Sequence, residues 1–425
     1  MLRIYNSIDQ LLRRNIDDAI ADKRLAVVEI IKQVKENGDR ALYQLTEQYD
    51  QVKLTDLRVS EQLINDFEDD DQCFKQALLE AAAKIREFHQ KQKRESWFSL
   101  QEDGSLVGQL VTPIERVGVY VPGGTAAYPS SVLMNVIPAQ VAGVNEIVMI
   151  TPPNKDGSIN PSILSAAKML GIKEIYTIGG AQGVAALAYG TETIKSVDKL
   201  VGPGNIYVAL AKKEVYGQVG IDMIAGPSEI AIIADEEANP VYIAADLLSQ
   251  AEHDVLAQAV LVTTSSRLAE MVQQELTKQL NNLSRREIAW RSLKDYGGIV
   301  ITSDLSEAFK EINKLAPEHL QLLLKDPFTH LAQIKNAGAI FLGEYSPEAV
   351  GDYFAGPNHV LPTNGTARFA SPLNVDDFLK KSSVISYSRT GLLNNGEKII
   401  TIANKEGLTA HAQAIKVRLE GEKND

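Results

Sequence analysis

Four of the six histidines in this chain sit in short polar blocks that also hold a carboxylate or a carboxamide. The blocks are Gln250-Ala251-Glu252-His253, Pro317-Glu318-His319, Asp352-Tyr353 through Asn358-His359, and Glu406 through His411. Near neutral pH, imidazole and carboxylate groups suit proton transfer and metal ligation. Gln250 and His253 lie three apart on a helix opened by Asn239-Pro240, a capping residue followed by a first-turn proline, so they share a face. An amide oxygen and an imidazole nitrogen there make half of a metal site; a polar helix end with a satisfied histidine has the same sequence. Glu318-His319 precedes the apolar run from Leu320 to Leu324. Adjacent side chains diverge along a strand but can converge at its mouth, where open sheets hold ligands. A Glu–His pair in that position divides labour, one group taking a hydroxyl proton and the other activating water. A capping glutamate beside a surface histidine reads identically. Glycines and a proline shape the loop from Gly351 to His359, and Glu406 and His411 flank the start of the last helix. The other two histidines are expected on solvated faces: His89 in the charged run from Lys84 to Arg94, and His330 after Pro327-Phe328-Thr329.

These blocks need a frame to bring them together. Residues 1–115 read as mainly helical, with stripes through Val27, Ile30, Ile31 and Val34, a stop at Gly38, and a second stripe through Leu78, Leu79, Ala82, Ile85 and Phe88. From Arg116 short apolar runs alternate with helical segments: 117–121, 146–150, 174–178 and 199–201, then 259–263, 298–302, 320–324 and 339–342. Continuous apolar runs of this length are buried parallel strands, and their alternation with helices is a βαβ pattern. The expected fold is therefore α/β, with two Rossmann-like open parallel-sheet domains at 116–235 and 236–375. The N-terminal helical segment is expected to pack with the second of them. Residues 376–425, with a strand-like stretch at 384–388 and a helix near 405–418, are too few to fold alone and are expected to form a small dimerisation tail on another subunit.

A net charge of −12 disfavours nucleic acid and anionic membranes as partners. No run approaches 18 apolar residues, and the N-terminus lacks an apolar signal core, which together point to a cytoplasmic protein. The single cysteine, Cys73, excludes an intrachain disulfide and a Cys-rich zinc site. It follows Asp69-Asp70-Asp71, whose charge would raise a thiol pKa, so it is not expected to be a nucleophile. No Gly-x-Gly-x-x-Gly fingerprint occurs, although Gly179-Gly180-Ala181-Gln182-Gly183 follows a strand and opens a helix, a placement that aims backbone N–H groups at a phosphate.

In order along the chain, nine blocks resemble histidinol dehydrogenase: Tyr120-Val121-Pro122-Gly123-Gly124, Gly179-Gly180-Ala181-Gln182, Val201-Gly202-Pro203-Gly204-Asn205, Ala225-Gly226-Pro227-Ser228-Glu229, Ser249 to His253, Pro317 to Leu320, Gly351-Asp352-Tyr353, Asn358 to Pro362 and Leu408 to His411. The resemblance runs from about residue 15 to 415. It implies a zinc- and NAD-dependent four-electron oxidation of L-histidinol to L-histidine through L-histidinaldehyde, at the end of histidine biosynthesis. It further implies zinc ligands at Gln250, His253, Asp352 and His411, a general base at His319, and water activation by Glu318. Substrate contacts would fall on Ser228, His359 and Glu406 as well as on His319 and the four metal ligands. NAD contacts would fall on Tyr120, Gln182 and Asn205. In the family the last ligand and the substrate-binding glutamate come from the partner subunit, so an intertwined homodimer is expected. One departure concerns loop shape: Asp254-Val255 follows His253 where relatives often carry glycine or proline. A zinc- and NAD-dependent dehydrogenase of another small polar alcohol, a zinc hydrolase using Glu318, and a non-catalytic α/β binding protein are the competing readings.

Overall fold

The computed structural model describes residues 2–12, 17–123 and 127–421; Gly124, the last residue of the first glycine block, lies outside them. Among the described residues the strands, in chain order, are β1 (Arg3–Tyr5), β2 (Trp97–Leu100), β3 (Leu106–Pro113), β4 (Arg116–Tyr120), β5 (Glu146–Ile150), β6 (Glu174–Tyr176), β7 (Lys199–Val201), β8 (Gly220–Ile221), β9 (Glu229–Ala234), β10 (Gln258–Thr263), β11 (Gly298–Ile301), β12 (His319–Leu323), β13 (Ala339–Leu342) and β14 (Leu379–Ser386). Two compact units divide the chain, one from residues 1–92 and 114–378, the other from 93–113 and 379–425.

The first unit contains two parallel sheets. Sheet I has the order β6-β5-β4-β7-β8. Sheet II has the order β1-β11-β10-β9-β12-β13. With β1 set aside, the two orders are the same: each sheet grows outward in one direction from its first strand, then returns and grows in the other. The chain reverses between β4 and β7 in sheet I and between β9 and β12 in sheet II, the switch points of a doubly wound fold. Helices cover both faces of the central strands, which is why their interiors are mostly apolar, with Gln321 of β12 an exception. In sheet II, Ile230, Ile232 and Leu261 pack on Ile243, Leu247 and Leu268. The alternate residues Ala231, Ile233 and Leu320 pack on Ala308 and Ile312 of the opposite helix layer. At the amino edge of sheet I, Arg116 bridges Glu146 at 2.7 Å and Glu174 at 2.6 Å, joining the first residues of three neighbouring strands.

The structure shifts several expected boundaries. Strand β9 lies at the heart of sheet II, between β10 and β12, so the second α/β domain begins before Glu229 rather than at 236. The helical segment at 17–92 packs mainly on sheet I, not on the second domain: Val27, Ile30, Ile31, Val34, Leu42 and Leu45 share a core with Val184, Ala185, Val208 and Val148. The helices at 180–189 and 206–215 are apolar on most of their surface and need that cover. Only the first residues join sheet II, where β1 pairs with β11. The helix Asp17–Asp50 breaks at Gly38, whose φ is 51°, as the sequence suggests.

In the second unit, β3 pairs antiparallel with β2 and β14, and the helices Arg389–Lys405 and Thr409–Gly421 meet through Ile400, Ala403 and Ala412. Strands β2 and β3 replace the helical reading of 97–113. Every residue of β2 is exposed in the chain, so it has no buried face to impose an apolar alternation. Among the described residues no helix is long and apolar enough to cross a membrane.

Candidate active site

Parallel pairing of β9 with β12 sets His319 beside Ile230, on the face covered by the helix Pro240–Ala251. That helix runs back from the end of β9 to the amino edge of the sheet, which delivers Gln250 to the same level as His319. Gln321 donates to Asp246 of this helix at 2.7 Å and ties it to β12. Gln250 is fully buried; with its amide turned as its neighbours require, Nε2 lies 3.1 Å from Glu348 Oε1, from the Glu229 carbonyl and from His319 Nδ1. Glu318 and His319 do converge: Glu318 Oε2 accepts from the Glu229 N–H at 2.8 Å and stands 3.7 Å from His319 Nδ1. This cluster forms at the amino ends of the strands, whereas open sheets usually bind ligands at the carboxyl ends.

His319 Nδ1 is 3.0 Å from the Glu229 carbonyl, an acceptor only, so Nδ1 carries the proton. In the neutral ring the other nitrogen then holds a lone pair. Nε2 is buried with no hydrogen-bond partner among the described residues and lies 3.7 Å from Asp352 Oδ1 and 3.9 Å from Glu348 Oε1. Ligating atoms of His253, Glu348 and Asp352 all fall within 4.8 Å of one another. Glu348 and Asp352 are one turn apart on the helix Glu348–Tyr353 and so share a face. An imidazole and two carboxylates at this spacing suit a divalent cation that takes nitrogen and oxygen ligands. His359 Nδ1 lies 3.0 Å from the Asp352 carbonyl, which links the Gly356-to-His359 loop to this helix. Ser228 precedes β9 and is half-buried.

The charges are strongly coupled. Burial alone would depress the His319 imidazole, but Glu348, Glu318 and Asp352 together push it up to about 10. Burial raises Glu318 to about 8 against the pull of His319. Burial likewise opposes ionisation of Asp352, yet the imidazole of His319 3.7 Å away, with the charges of His359 and His253, holds it below the ordinary carboxylate value. A cation bound among the carboxylates would offset the field that keeps His319 protonated, and so free Nε2 as a base.

At the carboxyl edge of sheet I the three residues expected to contact NAD stand at the switch point. Tyr120 ends β4, and its hydroxyl accepts from the Gly180 N–H at 3.1 Å. Gln182 is buried in the first turn of the helix Gly180–Tyr189, and Asn205 caps the helix Ile206–Val215 through its side-chain oxygen. The turn between β7 and Asn205 is clamped from below. Gly202 N–H donates to Asp222 at 2.8 Å, its carbonyl accepts from Lys212 at 2.8 Å, and Lys212 pairs with Asp222, both buried. Gly202 has φ of 114°, and a Cβ there would lie 2.1 Å from the Tyr120 carbonyl, so glycine is required. Two helix N-termini and glycine turns at a switch point form a cradle fit for a dinucleotide.

Glu406 and His411 belong to the second unit, at the end of one helix and in the first turn of the next, and both are exposed on it. Glu348 is the residue missed by sequence reading; its signal is a carboxylate four positions before Asp352. His89 corrects an expectation: it is fully buried, with Nδ1 2.8 Å from the Ile85 carbonyl and Nε2 facing Asn358. Asn358 in turn donates to the Met134 carbonyl at 2.6 Å, so His89 and Asn358 anchor the segment that carries His359.

Two Rossmann-like sheets, with a nucleotide-type cradle at one switch point and an acid–base pair beside a metal-capable cluster at the other, define an α/β enzyme. Comparison with known proteins specifies it. Residues 13–419 match the family description of histidinol dehydrogenase. The chain is 59% identical to histidinol dehydrogenase of Halalkalibacterium halodurans over 413 residues, covering 97% of each. It is 57% identical to that of Bacillus subtilis over 408 residues, covering 96% of each. A crystal structure of histidinol dehydrogenase from Elizabethkingia anophelis superposes with a TM-score of 0.91 at 37% identity, covering 99% of both chains. The chain belongs to the histidinol dehydrogenase family and is an oxidoreductase.

Proposed function

We propose that this chain oxidises L-histidinol to L-histidine through L-histidinaldehyde in two successive NAD-dependent steps, as a homodimer in the cytoplasm. One zinc per site would be held by Gln250, His253, Asp352 and the partner subunit's His411. When bound, zinc supplies a Lewis acid that holds and orients the substrate nitrogens, and NAD supplies the hydride acceptor. His319 takes the substrate hydroxyl proton at Nε2. Glu318 takes a proton from the water that adds to the aldehyde carbon, so no thiol nucleophile is needed. Ser228, His359 and Glu406 bind substrate, and Tyr120, Gln182 and Asn205 bind NAD.

The observation that carries this reading is the buried Nε2 of His319, without a hydrogen-bond partner among the described residues and 3.7 Å from Asp352, beside a cluster fit for a cation. The shared site is supported by the apolar surface of the second unit. Trp97 and Ile385 on one face of the small sheet, Phe98 and Leu100 on the other, and Ile402 on its helix are all exposed there, and so many uncovered apolar side chains call for a partner. The test is NADH formation from L-histidinol: two equivalents per substrate, lost on chelation and restored by zinc. Hydrolysis without NAD turnover, or binding without turnover, would overturn it.

A further inference from the structure

We propose that Glu348 is a positioning residue, whose buried carboxylate fixes the Gln250 carboxamide so that its oxygen, not its nitrogen, is offered to the metal. The inference rests on the reading of Gln250 as a ligand. Glu348 is 3% exposed and sits on the same helix face as Asp352. Gln250 Nε2 has three acceptor-capable neighbours at 3.1 Å: Glu348 Oε1, the Glu229 carbonyl and His319 Nδ1. The third is excluded, because Nδ1 spends its proton on the Glu229 carbonyl at 3.0 Å and has no lone pair there. The two amide hydrogens of Gln250 therefore go to Glu348 and Glu229. Turning the amide over would set its oxygen against the Glu348 carboxylate and the Glu229 carbonyl, two buried acceptors, and would turn N–H donors toward the cation. Each such clash leaves buried acceptors facing one another without a donor. An amide ligates hard cations through oxygen, so the wall made by Glu348 and Glu229 selects the ligating atom before any metal arrives. The other carboxylate oxygen of Glu348 lies 3.4 Å from Ser249 Oγ, whose closer acceptor is the Asp246 carbonyl at 2.9 Å.

The experiment measures zinc affinity of the full-length protein by competition with a chromophoric chelator, in wild type, Glu348→Gln, Glu348→Leu, Gln250→Ala and the Gln250→Ala/Glu348→Leu double variant. Glu348→Leu is expected to weaken zinc about 10- to 100-fold, the usual size for an outer-shell partner. Glu348→Gln keeps an acceptor oxygen for Gln250 and should stay within a few-fold of wild type. In the Gln250→Ala background the leucine substitution should cost little more, because its route to the metal is already gone. The Michaelis constant for histidinol should rise with the zinc dissociation constant, while kcat at saturating zinc and substrate changes far less. Equal cost of Glu348→Leu in both backgrounds, or a Glu348→Gln variant as weak as Glu348→Leu, would overturn the positioning role and mark Glu348 as a ligand in its own right. A Gln250→Ala variant with unchanged zinc affinity would overturn both the ligand reading and the inference. Should Glu348→Leu not fold, judged by its circular dichroism, the near-isosteric Glu348→Gln result alone decides: retained zinc affinity supports the role and lost affinity refutes it.

Discussion

Replacing Glu318 by glutamine should separate the two oxidations. The glutamate accepts from the Glu229 N–H at 2.8 Å through one carboxylate oxygen, and glutamine offers a carbonyl oxygen of the same reach. The structural cost is then the difference between a charge-assisted and a neutral hydrogen bond, about 0.5–1.5 kcal/mol. The chemical cost is larger and selective. A positioned general base contributes about 10²–10⁴ in rate, or ~2.7–5.5 kcal/mol on the barrier, and an amide cannot accept the proton from water. Only the second oxidation needs that water. Stopped-flow NADH absorbance with L-histidinol should show a first equivalent released at close to the wild-type rate, then a second slowed by at least about a hundredfold. Presenting L-histidinaldehyde directly should show the slow phase alone. Equal slowing of both phases, or of neither, would refute the division of labour between Glu318 and its neighbour.

His319→Asn should lower kcat by about 10²–10⁴ and move the Michaelis constant for histidinol far less, because a base acts in the transition state; a change confined to the Michaelis constant would contradict the role. Asp352→Ala should abolish stoichiometric zinc in the purified protein, read by elemental analysis, and full retention would remove it from the ligand set. Lys212→Met unclamps the Gly202 turn and should raise the Michaelis constant for NAD about tenfold, the equivalent of one hydrogen bond to a charged group, with that for histidinol steady; parallel rises would refute a local role. Burial alone would raise the Glu174 carboxyl, but hydrogen bonds from Arg116 and Tyr176 hold it below its ordinary value of 4.5, so its contribution to stability is present above that pH and is lost on acidification. Thermal unfolding of Glu174→Gln should therefore show a loss of about 1–3 kcal/mol at pH 7 that shrinks below pH 4, and a pH-independent loss would refute the linkage.

Parallel strands were legible because burial favours short, mostly apolar runs, and eight such runs mark β4 to β7 and β10 to β13 within two residues. The allocation of β9 was not, since a lone apolar run carries no sign of which sheet it enters. His89 was misread from its charged neighbours; its spacing of four from Ile85, and of four again from Ala81, puts it on the buried stripe. Leu79 and Phe88, placed on that stripe, are exposed instead. Glu348 escaped notice because nothing in Ser346-Pro347-Glu348 distinguishes a buried carboxylate from a helix-opening one. The glycine turns of sheet I, by contrast, announce backbone geometry directly, as Gly202 shows. The grouping of Gln250, Glu318 and His319 could be suspected from composition, but their meeting at the amino rim depends on a helix returning along the strands, which only topology supplies.

The reversed polarity of sheet II sets its carboxyl rim apart from the assigned site. The turns after β9, β10, β11 and β12, near residues 235, 264, 303 and 325, hold none of the side chains assigned to chemistry. The five residues of β12, at ~3.3 Å each, separate that rim from His319 by roughly 15 Å. Spectroscopic labels, affinity handles or inserted peptides attached there would report on the molecule from outside its working parts.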